Sequence, residues 1–72
     1  MTEKSILPLA AMEKLLKKSG ADRVSEDAKV ALRDALEDYS EQIGVHAIRI
    51  SKHSGRKTVK AGDIKLASKQ EI

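Results

Sequence analysis

Residues 25–54, S-E-D-A-K-V-A-L-R-D-A-L-E-D-Y-S-E-Q-I-G-V-H-A-I-R-I-S-K-H-S, decide the fold. The stretch has no proline, and Gly44 alone interrupts a run of good or tolerable helix formers. Apolar residues fall at Ala28, Leu32, Ala35, Leu36, Tyr39, Ile43, Ala47 and Ile50, mostly in steps of three and four that place side chains on one helical stripe. Val30 and Ile48 lie roughly opposite that stripe, so the helix asks for burial on more than one side. Ser25 is a suitable N-cap, Glu26 and Asp27 complement the positive end of the helix dipole, Lys52 and His53 the negative end, and Ser54-Gly55 supplies the stop. Roughly 28 residues at about 1.5 Å each make a rod of about 42 Å, whereas a compact chain of this length has a radius of gyration of about 11 Å. One short chain has no means of covering such a rod, so an obligate dimer is expected.

Composition points the same way. Seventy-two residues make one small domain, in the range where a lone core is marginal. The absence of cysteine removes disulfides and thiolate zinc sites, leaving oligomerisation as the route to stability. No apolar run approaches the ~20 residues of a membrane span, and residues 1–6 lack the hydrophobic core of a signal peptide, so an intracellular protein is expected.

The flanks of the long stretch read as two short helices. Leu7-Pro8 opens the first, with Pro8 at the first helical position, Leu9, Met12, Leu15 and Leu16 on its buried face, and Ser19-Gly20 as its end. Residues 56–60 form a loop containing the β-prone pair Thr58-Val59, after which residues 61 to about 70 form a third helix with Ala61, Ile64 and Ala67 on one face. Leu66 falls on a different face and presents an apolar spot to something else. Residues 1–6 are read as a short extension and residues 7–70 as the domain.

The net charge is +3, and its distribution is informative. Residues 1–24 hold five basic against three acidic residues, residues 25–53 four against six, and residues 54–72 five against two. Positive charge therefore sits at the flanks, at Lys14, Lys17, Lys18 and Arg23 and again at Arg56, Lys57 and Lys60. If two long helices cross near their middles in antiparallel fashion, the loop holding Arg23 lies beside the partner's loop holding Arg56, Lys57 and Lys60. The composite basic patch then occurs twice per dimer, an arrangement suited to gripping a duplex backbone at successive points.

Other chemistries find little support. His46 and His53 are seven residues apart, about 10.5 Å along a helix, too far to share one metal ion. Serine, histidine and aspartate are present without the strand–turn–helix context or pocket of a nucleophile, so neither an enzyme nor a cofactor is expected. Tyr39, the only aromatic residue, is read as core, and Lys29 and Arg33 with Glu37, Asp38 and Glu41 as a solvated face carrying i, i+4 pairs.

Three runs carry a family resemblance: L-P-L-A at residues 7–10, G-A-D-R-V-S-E-D-A at 20–28 and G-R-K-T-V-K-A-G-D-I-K-L-A at 55–67. Through them the chain resembles the archaeal histones from Leu7 to about Lys69. The resemblance implies an all-α histone fold, a handshake dimer in which the two loops pair as short parallel strands, and wrapping of double-stranded DNA without sequence specificity on the chromosome in the cytoplasm. It assigns Arg23 to the minor groove with Thr58 beside it. Val24, Ser25 and Glu26, and Thr58, Val59, Lys60 and Ala61, fall in the phosphate-contacting loop segments; Lys57 and Lys60 match basic phosphate contacts, and Lys14 and Lys17 basic positions of the first helix. Arg56 and Asp63 match a structural ion pair. Ile50, His53, Asp63 and Leu66 match the contact between dimers, and Gly20 the small residue required for stacking of successive layers. The implied partners are duplex DNA and a second copy of the chain or a histone paralogue, as dimers, tetramers or longer assemblies, with no membrane or small-molecule substrate. The competing class is a histone-fold dimerisation subunit of a transcription or chromatin-associated complex, which has no need of Arg23 or of both basic loops.

Overall fold

A computed structural model describes residues 5–69. Three α-helices follow one another, α1 (Leu9–Lys18), α2 (Glu26–His53) and α3 (Ala61–Lys69), and no strand occurs among the described residues. The extension at residues 1–4 and the expected domain boundary at Gln70 lie outside the described residues. The chain falls into two compact units, one reaching to Asp38 and the other beginning at Tyr39.

In the first unit α1 begins one residue later than the sequence suggests. Pro8 is its N-cap, with extended backbone (φ −77°, ψ 143°), and Leu9 is the first helical residue. A proline side chain has no hydrogen-bonding atom with which to cap a helix, and the two N–H groups ahead of it find another partner. Ile6 N–H and Leu7 N–H both donate to Glu37 Oε2 at 2.7 Å. Those two hydrogen bonds hold the Glu37 carboxyl below its ordinary range, that of Leu7 contributing most. Glu37 therefore anchors the approach to α1 rather than belonging to a solvated face. Lys29 likewise leaves that face. Its side chain, 13% exposed, reaches Glu13 Oε1 of α1 at 3.2 Å and Glu26 Oε2 at 3.0 Å. The bonds to Glu26 and then Glu13 raise the Lys29 pKa, and the bond from Lys29 lowers that of Glu13.

Both helix ends that carry glycine close in the same way. After α1, Gly20 N–H donates to Lys17 O and Ala21 N–H to Leu16 O, with Gly20 at φ 116°. After α2, Gly55 N–H donates to Lys52 O and Arg56 N–H to Ser51 O, with Gly55 at φ 75°. These paired bonds are Schellman motifs, whose C′ position needs the left-handed backbone that glycine adopts without strain. At its other end α2 is capped by Ser25, whose Oγ accepts the Ala28 N–H at 3.1 Å.

What one chain buries is small. Met12, Ala47 and Ala67 are the fully buried apolar residues among those described, joined by Ser51 and Asp63. The expected buried faces are only partly buried within the chain: Leu15 is 46% exposed, Tyr39 48% and Ile64 41%. On α3 the buried pair is Asp63 and Ala67, one turn apart, instead of Ala61, Ile64 and Ala67, because the loop before α3 draws Asp63 inward. Val45 and Ile48, off the main stripe, are each 46% exposed. A helix with apolar residues exposed on two sides is incomplete as a monomer surface, since soluble monomers rarely show contiguous apolar area of this kind.

Candidate nucleic-acid interface

The loop between α2 and α3 is built around two buried polar side chains. Ser51, 2% exposed, turns its Oγ to Arg56 O at 3.0 Å and Thr58 O at 3.1 Å. Asp63, 4% exposed, receives the Arg56 guanidinium in a two-pronged pair, Nη2 to Oδ1 at 2.8 Å and Nη1 to Oδ2 at 3.0 Å. Asp63 Oδ2 also accepts Lys60 N–H at 2.8 Å, the contact by which an N3 acidic residue closes the start of its own helix. Arg56 Nη1 donates once more, to Thr58 O at 3.0 Å. The Arg56 guanidinium and the Lys60 N–H together hold the Asp63 carboxyl at a pKa of about 2, and the carboxylate raises that of Arg56 in return. No buried side-chain nitrogen or oxygen among the described residues lacks a partner.

This bracing decides what the loop presents outward. The acid closest to it in sequence is consumed by Arg56, while Lys57, Thr58, Val59, Lys60 and Ala61 are exposed. Val59 and Lys60 are unpaired by any strand within the chain. In the first unit Arg23 is exposed and Val24 half-buried; Ser25 gives its oxygen to the α2 cap, and Glu26 is exposed beside Lys29. Lys14 and Lys17 stand exposed on α1, Lys17 at 3.5 Å from Glu13, a separation at which a solvated pair contributes little. Gly20 is the C′ residue of α1, with no atom within 4 Å of where a Cβ would lie. Of the residues assigned to contacts between dimers, Leu66 is 57% exposed, His53 exposed, Ile50 half-buried and Asp63 buried. His53 and Ile50 line a shallow groove with Arg49, Lys52 and Ser54 at the end of α2.

Sequence reasoning missed Ser51 and Glu37. Ser51 gave one usable hint: a small polar residue inside the last turn of a helix whose apolar stripe passes beside it. Glu37 gave none, its partners lying 30 and 31 residues earlier.

A long central helix flanked by two short ones, with exposed cations on a self-braced loop, is the architecture of a histone-fold chain. The match to known proteins is specific. A family model described as histone-like transcription factor (CBF/NF-Y) and archaeal histone covers residues 5–67. The chain is 51% identical over 63 residues to the archaeal histone HAN1 of Thermococcus zilligii, covering 88% of this chain and 94% of that one. It is 44% identical over 61 residues to probable archaeal histone 3 of Methanocaldococcus jannaschii, covering 85% and 91%. The chain belongs to the family of histone-like transcription factors and archaeal histones. Among the described residues no helix is long and apolar enough to cross a membrane.

Proposed function

We propose that this protein is a DNA-packaging histone whose handshake dimer binds duplex DNA without sequence preference and compacts the chromosome. The observation that carries the reading is the α2–α3 loop, where a buried carboxylate neutralises Arg56 and fixes the backbone while Lys57, Thr58 and Lys60 stay exposed. A surface that only pairs protein chains has no use for solvated cations held on a rigid backbone. Phosphate contacts then come from Lys57, Lys60 and the exposed N–H groups of Thr58, Val59 and Ala61, and from Val24, Ser25 and Glu26 at the start of α2. The Ser25 hydroxyl keeps its proton to donate, since its oxygen accepts the Ala28 N–H. Arg23 enters the minor groove with Thr58 beside it, and Lys14 and Lys17 approach the backbone from α1. Such contacts position the protein and read groove shape, not base identity.

The two chains meet along α2, bringing Arg23 of one beside Lys57 of the other. Dimers join further through Ile50, His53 and Leu66, with His53 using the lone pair of the Asp63 carboxylate that its three bonds within the chain leave over. Gly20 provides close approach where layers stack. A dimer that neutralises about six phosphates gives a log–log slope of affinity against salt near −5. Fluorescence anisotropy on a random-sequence duplex measures that slope, and a value near zero refutes the proposal. Should the purified chain instead be an unfolded monomer that a different histone-fold chain rescues, the dimerisation-subunit reading replaces it.

A further inference from the structure

We propose that Ser51 is a positioning residue for DNA binding, its buried hydroxyl setting the shape of the α2–α3 loop that meets phosphates. The inference rests on the reading of that loop as a DNA contact, and it assigns a role to a residue that the packaging function does not otherwise use.

A serine inside a helix commonly turns its hydroxyl back to the carbonyl one turn earlier. Ser51 points the other way. Its Oγ meets the carbonyl oxygens of Arg56 and Thr58, five and seven residues onward in the loop, at 3.0 and 3.1 Å. A hydroxyl carries one proton, so the two carbonyls share it. Thr58 O has a second donor in Arg56 Nη1 at 3.0 Å, whereas Ser51 Oγ is the one donor to Arg56 O among the described hydrogen bonds. Drawing the carbonyls of residues 56 and 58 inward leaves the residue between them outermost. That residue is Lys57, which is exposed. Together with Asp63 on Lys60 N–H, the Ser51 contacts fix the backbone at both ends of the segment 57–60. Order established on folding does not have to be created when DNA arrives, and preorganised contacts bind more tightly for that reason.

Ser51→Ala in the full chain tests this. Alanine fits the space of serine and is a better helix former, so helical content and dimerisation stay as in the parent. Hydrogen exchange of the amides of residues 57–59 in the DNA-free protein should accelerate. On a random-sequence duplex, affinity should fall by about fivefold per loop, the worth of one neutral hydrogen bond, and the salt slope should become shallower by about one phosphate per loop. An equal loss of affinity with the slope and loop exchange unchanged makes Ser51 merely structural and overturns the proposal. So does a variant that binds as the parent does. A parent with no salt dependence at all overturns the DNA reading itself, and the inference with it.

Discussion

Replacing Tyr39 by alanine tests the idea that the exposed stripe of α2 is a seam between two chains. Tyr39 and Ser40 are the central residues of the 28-residue α2, so a two-fold crossing at mid-helix sets each Tyr39 beside its own mate. The ring is 48% exposed in one chain. An aromatic side chain buries about 150–250 Å² in all, so roughly 100 Å² per chain becomes covered on pairing. At about 25 cal/mol per Å² this is ~2.5 kcal/mol per chain and ~5 kcal/mol per dimer, between about three and four orders of magnitude in the dimer dissociation constant. Thermal unfolding followed by circular dichroism over a hundredfold range of protein concentration reads the effect. The parent midpoint should rise with concentration, because folding and association are coupled. Tyr39→Ala should unfold at lower temperature throughout and need far higher concentration to pair, while Asp38→Ala, at an exposed neighbour, should behave as the parent. A Tyr39→Ala dissociation constant within about tenfold of the parent refutes the reasoning, since the ring then gains little cover from the second chain.

Four further outcomes follow from the geometry. The folded-state pKa of Asp63 lies at about 2, below its ordinary 3.8. Its contribution is therefore fully present above the unfolded value and disappears as pH falls from about 3.8 through about 2; Asp63→Asn should be less stable at neutral pH and lose that acid limb in a chemical-denaturation series. Gly55→Ala should cost about 1–2 kcal/mol per chain, read as a lowered unfolding midpoint; the Cβ meets no atom within 4 Å, so the cost is backbone strain at φ +75° and not a clash. Lys57→Ala should weaken binding alike on unrelated duplexes and reduce the salt slope by about two per dimer, whereas a loss confined to one sequence would contradict packaging. His53→Ala should leave dimers intact and diminish larger assemblies on DNA in sedimentation; undiminished tetramers would remove His53 from the contact between dimers.

The parts legible in the sequence were those written in local chemistry. Ser25 before Glu26-Asp27 and glycine after each of the first two helices mark α1 and α2 to within a residue, because capping depends on neighbours only. The Arg56–Asp63 pair was available only through family resemblance, and nothing in its spacing of seven distinguishes it from chance. Ser51 and Glu37 were illegible for a physical reason: their partners are backbone groups, and any residue supplies those. Leu15, Tyr39 and Ile64 show the opposite case. Their periodicity declares that they are to be buried, yet the surface that buries them is not in their own chain, so pattern alone overstates what a single copy encloses.

The sheltered Arg56–Asp63 pair and the exposed lysines beside it respond to ionic strength in opposite ways. Salt screens exposed charges beyond about 10 Å at 0.1 M and touches sheltered contacts far less. Brine that strips the nucleic acid should thus leave the clasp at the end of α2 closed. The protein would come away already shaped for its next duplex, and rebinding after desalting would need no refolding.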